Sequence, residues 1–133
     1  MSQENVERVR RAYRLYQETQ QPDYELLHRD VTWHTARDLP DSATYRGHDG
    51  VAELYSEWIG SFEDFRVEVE ELLDDGRDTV IVMTRLRGRF RGSTDEVNLI
   101  EAHVWKLLDG KAVEIREYRT RAEALEAVGA RRD

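Results

Sequence analysis

Residues 80–87 read Val-Ile-Val-Met-Thr-Arg-Leu-Arg, and residues 97–107 read Val-Asn-Leu-Ile-Glu-Ala-His-Val-Trp-Lys-Leu. Both runs are rich in β-branched and aromatic residues, and their side chains sort with a period of two, as in a β-strand. The same period holds upstream, where Phe65, Val67 and Val69 alternate with Arg66, Glu68 and Glu70, and downstream from Ala112 to Arg119. Asp75-Gly76, Gly92-Ser93 and Asp109-Gly110 separate the runs. Asp and Gly tolerate the positive φ of a tight hairpin turn. The spacing therefore predicts four long antiparallel strands, at about 64–74, 78–91, 95–108 and 111–119.

Outward from this meander the period changes to that of a helix. Val6, Val9, Tyr13 and Tyr16 recur at helical spacing before Pro22, which predicts a helix over about 3–20. A short helical piece follows, capped by Asp23, with Leu26 and Leu27 turned inward. Val31–Thr35 reads as a short strand, and the polar stretch 36–46 as a loop. Val51, Leu54, Tyr55, Trp58 and Ile59 define a helix over about 48–60. Thr120-Arg121-Ala122-Glu123 matches a capping box and opens a helix over about 121–128, with Ala122, Leu125 and Val128 inward. Helices segregated from one antiparallel sheet make an α+β fold. Long strands twist, and helices on the concave face of a curved sheet leave a pouch. Ile81 and Met83 point to the other face, where no helix is expected. Exposed apolar groups there predict a homodimer.

At 133 residues, with 39% hydrophobic and 36% charged, the chain suits one globular domain over 1–133 with a strongly charged surface. The net charge of -8 argues against nucleic acid as a partner. There is no cysteine, which excludes disulfides and thiolate chemistry. The start of the chain carries no signal-peptide pattern, and no run is apolar enough to span a membrane, so the expected location is the cytoplasm. The four histidines show no paired helical spacing, and no metal or other cofactor is expected.

On the strand at 97–107, Glu101, His103 and Trp105 share one face, a mix of apolar body and few polar groups that suits a pocket wall. Glu117 lies on the next strand, within reach of the same face. On the short strand Trp33 and His34 point opposite ways, and the flat ring of Trp33 suits a ligand wall. Tyr55 and Trp58 belong to the helical stripe that packs on the sheet. Arg85, Arg87, Arg89 and Arg91 alternate on one strand face, which reads as a solvated outer face crossed by Glu68, Glu70 and Glu114 on neighbouring strands, a ladder of opposite charges.

The element order, with Tyr45-Arg46-Gly47-His48-Asp49-Gly50 leading into the middle helix, resembles the nuclear transport factor 2-like superfamily and, within it, the SnoaL-like group. Further pieces of the likeness are Asp30-Val31-Thr32-Trp33-His34, Asp78-Thr79-Val80, Ala102-His103-Val104-Trp105 and Glu117-Tyr118. The resemblance implies a cone-shaped α+β barrel with a pocket at its open end, and frequently a homodimer. It spans ketosteroid isomerases, polyketide cyclases, dehydratases, epoxide hydrolases and proteins that only bind. Laid on the isomerase pattern, the first carboxylate falls at Thr35, beside His34, and the second at Ala102 or His103. Both acids are missing, which argues against the standard steroid isomerisation. The helix-1 tyrosine of that pattern is Tyr13 or Tyr16.

Together these readings predict an isomerase, cyclase or dehydratase that works by cofactor-free acid–base chemistry on a small hydrophobic cyclic molecule. His103 is the expected proton handler, Glu117 its orienting partner and Tyr16 the donor to a developing oxyanion. Trp33, Thr35, Tyr55, Trp58, Glu101 and Trp105 are the expected substrate contacts. Two alternatives stay open: a non-catalytic binding module for a hydrophobic metabolite, and an accessory dimer whose pouch is filled by its own side chains.

Overall fold

The computed structural model describes residues 2–36 and 43–132. Helix α1 (Ser2–Thr19) leads through a turn into strand β1 (Leu27–His34), strand β2 (Thr44–Arg46) and helix α2 (Gly47–Ile59). The meander follows as β3 (Phe62–Gly76), β4 (Thr79–Phe90), β5 (Glu96–Leu108) and β6 (Lys111–Tyr118), and helix α3 (Arg121–Arg132) ends the order. The four long strands and three main helices thus stand where the sequence periods put them.

Local chemistry explains the boundaries. The Asp109-Gly110 turn has both residues at positive φ, 51° and 79°, as its composition requires. The first hairpin differs from expectation. Gly76 still pairs with Thr79, and the turn falls on Arg77 and Asp78, at φ 51° and 60°. The expected second helix is only a turn: Asp23 Oδ1 accepts from the Leu26 amide, but the chain then enters β1. β1 starts four residues earlier than Val31, and part of the expected loop, Thr44–Arg46, pairs with it as β2. Residues 37–42 of that loop lie outside the described residues. Gly47 opens α2 at φ 69°, and a Cβ there would stand 3.2 Å from the Arg29 carbonyl oxygen. Only glycine meets both conditions without strain.

The sheet has six strands in the order β2-β1-β6-β5-β4-β3. It corrects the expectation of a purely antiparallel sheet, because β1 runs parallel to β6. The reason is topological: the chain leaves β1 for the α2 side and returns through the whole meander before β6 reaches its flank. The sheet is also open. Among the described residues β2 and β3 are its edges, and no closed barrel forms.

Two cores lie on opposite faces. On the pocket face, Val9, Tyr13 and Tyr16 of α1 and Val51 and Leu54 of α2 pack over Val80, Val82, Trp105, Leu107 and Ile115. On the other face Ile81, Met83, Ala102 and Val104 are buried beneath Ala124 and Val128 of α3. This is a second correction, since α3 had been expected with the other helices. Its buried stripe is Ala124 and Val128, while Leu125 is exposed. The Thr120 hydroxyl accepts from the Glu123 amide at 3.0 Å, which fixes the helix start and so the phase of the stripe. Ile81 and Met83 are therefore covered within one chain, which removes the reason the sequence offered for a dimer. Farther along this face Arg85, Arg87 and Arg89 pair with Glu70, Glu68 and Asp64, most of the expected ladder with Asp64 added, while Arg91 donates to the Gly60 carbonyl oxygen and Glu114 pairs with Arg116.

The two-sided packing predicts a sharp asymmetry. Ile81→Ala, which empties a fully buried site, is expected to cost about 3 kcal/mol. Leu125→Ala is expected to cost under about 0.5 kcal/mol. Urea unfolding of both variants checks this, and an equal cost would refute the assigned phase of α3.

Candidate functional site

The helices and the sheet enclose a pocket of about 750 Å³. Its walls are apolar: Leu54 and Tyr55 from α2, Phe65 and Val67 from β3, Leu86 from β4 and Trp105 from β5. All nine residues singled out in the sequence (Tyr16, Trp33, Thr35, Tyr55, Trp58, Glu101, His103, Trp105 and Glu117) line it. The pocket is open space, so the reading of a pouch filled by its own side chains does not hold.

The alternation of β5 sends Glu101, His103 and Trp105 to the pocket face, and the ladder places His103 directly opposite Glu117 of β6. His103 Nε2 lies 2.9 Å from Glu101 Oε1, and His103 Nδ1 lies 2.7 Å from the Tyr13 hydroxyl. The Trp105 indole N–H donates to the same hydroxyl at 2.9 Å. Tryptophan can only donate, so Tyr13 accepts from it; when the imidazole is neutral with Nδ1 bare, the Tyr13 hydroxyl donates to that nitrogen. The neutral ring then carries its hydrogen on Nε2 and donates it to Glu101. On the other wall the Trp33 indole N–H donates to Glu117 Oε2 at 2.8 Å. His34 points away from the pocket wall and its Nδ1 meets the Thr44 hydroxyl.

Tyr13 is the residue the sequence reading passed over in favour of Tyr16. Helical spacing puts both on one face of α1, and only the tertiary placement shows that Tyr13 stands over β5. The Tyr16 hydroxyl instead donates to Gln20 Oε1 at 3.3 Å. Thr35 lines the pocket, but its hydroxyl donates to and accepts from the backbone of Ala43. Trp58 sits at the pocket mouth, 36% exposed. The Tyr55 hydroxyl has no hydrogen-bond partner among the described residues, although it lines the cavity.

Electrostatics set the three ionisable groups apart. Burial pushes the Glu117 carboxyl up, the nearby Glu101 charge pushes it further, and His103 and the donors Trp33 and Ala36 N–H pull it back. The balance leaves it at about 7, against an ordinary 4.5. Burial works to lower the His103 pKa, but the hydrogen bond to Glu101 and the charges of Glu101 and Glu117 outweigh it, and the imidazole ends above its ordinary 6.5. Burial raises the Tyr13 hydroxyl well above 10. Among the described residues, ligand atoms of Glu101, His103 and Glu117 lie within 4.8 Å of one another. That is a possible cation-binding set, though His103 Nε2 is already committed to Glu101.

A raised carboxyl pKa has a defined consequence for stability. Above about pH 4.5 the unfolded chain gives up the Glu117 proton while the folded chain keeps it to about 7. The folded state thus loses stability as pH rises through this window. Glu117→Gln removes the effect. Thermal melts are expected to show the variant gaining on the wild type between pH 4.5 and 7, with no further gain above; a difference that stays flat across that window would refute the raised pKa.

The geometry now bears comparison with known proteins. A family model for the SnoaL-like domain matches residues 9–115. No curated protein matches the chain significantly. Among solved structures, Bal32a from a soil-derived mobile gene cassette superposes with a TM-score of 0.80 at 19% identity, covering 95% of this chain and 96% of that one. TerC, co-crystallised with polyporic acid, gives 0.72 at 23% identity over 92% and 96%. A protein from Jannaschia sp. CCS1, assigned as a SnoaL-like polyketide cyclase, gives 0.71 at 22% identity over 94% and 90%. At these identities the structures establish the shared fold alone. The family match covers most of the chain and agrees with the helix order and open sheet described above, and the protein belongs to the SnoaL-like domain family of the nuclear transport factor 2-like superfamily.

Proposed function

We propose that the pocket is the active site of a cofactor-free isomerase, cyclase or dehydratase that moves a proton on a small, mostly apolar cyclic molecule. The observation that carries this reading is Glu117: a carboxyl poised at about 7, on the wall of an apolar cavity. A general base works best when its pKa lies near the working pH. The reading shifts the proton handling from His103 to Glu117. Both ring nitrogens of His103 are engaged, with Tyr13 and Glu101, so the imidazole holds Glu101 and tunes the charge felt by Glu117 across the ladder.

In the simplest reaction Glu117 takes a proton from the carbon next to a substrate carbonyl. The electron pair of that C–H bond moves into the enolate, and the Tyr55 hydroxyl donates to the enolate oxygen. The protonated Glu117 then returns the proton to a different carbon, for an isomerisation. Alternatively the enolate carbon attacks a second carbonyl of the same molecule and closes a ring; the π pair of that carbonyl moves to its oxygen, and the resulting alkoxide takes the proton back from Glu117. The assignment of a related fold as a polyketide cyclase supports this class of chemistry. A binding module is the second reading, favoured by the internally satisfied Trp105–Tyr13–His103–Glu101 chain.

Assays against cyclic β,γ-unsaturated ketones and aromatic polyketide mimics test it. Glu117→Gln is expected to lower kcat by about 100-fold or more with little change in binding, and Tyr55→Phe by about 10-fold. Because the base must be deprotonated, kcat/KM is expected to rise with pH and level off above about 7. Ligands that bind the wild type without turnover would move the protein to the binding-module reading.

A further inference from the structure

The charge of the pocket is as one-sided as its walls are aromatic. Its lining residues include four carboxylates, Asp23, Glu57, Glu101 and Glu117, and among the described residues no arginine or lysine. Among the described lining residues His103 is the single group that can turn cationic. When both floor carboxylates are ionised, even an imidazolium leaves the buried end with a net negative charge. Desolvated charge of one sign is costly unless a counter-charge arrives.

Around that floor the walls are rings. Nine of the 24 lining residues are Phe, Tyr or Trp. Trp33 meets Tyr55 with ring centroids 5.9 Å apart and planes at 85°, and Trp105 at 6.0 Å and 68°. Tyr13 meets Trp105 at 5.7 Å and 60°. Rings set this steeply to their neighbours form the corners of a box and not a flat stack. An aromatic box closed at one end by carboxylates is the environment that stabilises a weakly hydrated organic cation, through cation–π attraction and direct charge pairing.

We infer that the pocket takes a substrate bearing an organic ammonium group, with the cationic nitrogen between Trp33, Trp105 and the carboxylates of Glu101 and Glu117 and the apolar body toward Phe65 and Leu86. The inference rests on the reading of the pocket as a small-molecule site and is independent of turnover. A free divalent metal would satisfy the charge but leave the rings without purpose, and its nitrogen ligand, His103 Nε2, is held by Glu101. A carboxylate or phosphate ligand would meet like charge and no arginine or lysine among the described lining residues.

The empty pocket balances part of its charge with the proton on Glu117. The groups facing that carboxyl are Trp33 on β1, Glu101 and His103 on β5, and the Ala36 amide, with Tyr13 on α1, Tyr45 on β2 and Tyr55 on α2 coupled to it electrostatically. A permanently charged ammonium ligand displaces the proton, so it binds more tightly as pH rises through the titration of Glu117, and its arrival leaves Glu117 ionised.

All three tryptophans of the chain line the pocket, so intrinsic fluorescence reports binding directly. The full-length protein is titrated with phenyltrimethylammonium, with its neutral isostere tert-butylbenzene, and with benzoate. The expected result is that the cation binds at least ten-fold tighter than the isostere, benzoate binds more weakly than either, and cation affinity rises several-fold from pH 5.5 to 8. In Glu117→Gln, checked for folding by circular dichroism, the pH dependence flattens and tert-butylbenzene binding changes less than two-fold. Equal affinity for cation and isostere, or tighter binding of benzoate, overturns the inference and leaves the pocket reading intact. Failure of all three to bind overturns both. Stoichiometric zinc binding that blocks the cation also overturns it, in favour of a metal at Glu101, His103 and Glu117. The wild-type comparison of cation and isostere stands even if the variant does not fold.

Discussion

Register between β5 and β6 is the constraint on which the site depends. Successive side chains on a strand point to opposite faces, so a shift by one residue exchanges the faces completely. With His103 opposite Glu117, the polar groups of β5 enter the pocket while Ala102 and Val104 pass beneath α3. Both faces of β5 are buried at this point, and either set of side chains would be misplaced in the other register. The packing of α3 on one face thus helps to hold the polar cluster on the other.

The cluster itself is a compromise between burial and charge. Glu101 and His103 are nearly inaccessible, and such groups persist only when hydrogen-bonded. They bond to each other, and His103 also meets Tyr13 of α1; Trp105 of β5 donates in turn to Tyr13, and Trp33 of β1 donates to Glu117. The two indoles act as fixed donors that cannot themselves titrate, while burial and the Glu101 charge bring the Glu117 carboxyl to titrate near neutral pH. A hydrogen bond of this kind contributes about 1 kcal/mol net. Its larger effect here is to fix which atom points into the cavity.

Fold kinship and site chemistry separate clearly in this protein. The SnoaL-like frame positions a pocket between helices and sheet, and the sequence reading puts the carboxylate positions of the ketosteroid isomerase pattern on Thr35 and on Ala102 or His103. The acidic groups come instead from Glu101 and Glu117, on β5 and β6. A single scaffold supports many chemistries because its pocket-facing positions vary independently of its cores.

How much was legible in the chain follows from the range of the interactions involved. Strand and helix periods, the Asp109-Gly110 turn and the Thr120 cap are local, and they determined the order and bounds of the long elements without any knowledge of the fold. The period-two face of β5 likewise grouped Glu101, His103 and Trp105. Three features were decided only in three dimensions. The choice of Tyr13 over Tyr16 depends on which turn of α1 lies over β5, and one inward stripe offers both. The side taken by α3, and with it the burial of Ile81 and Met83, depends on the path of the chain after β6. The raised pKa of Glu117 depends first on its burial between packed elements and then on Glu101, sixteen residues away in sequence, being brought beside it. Local patterns determine which side chains can share a face; the packing of separate elements alone determines which of them meet, and only there are their charges felt.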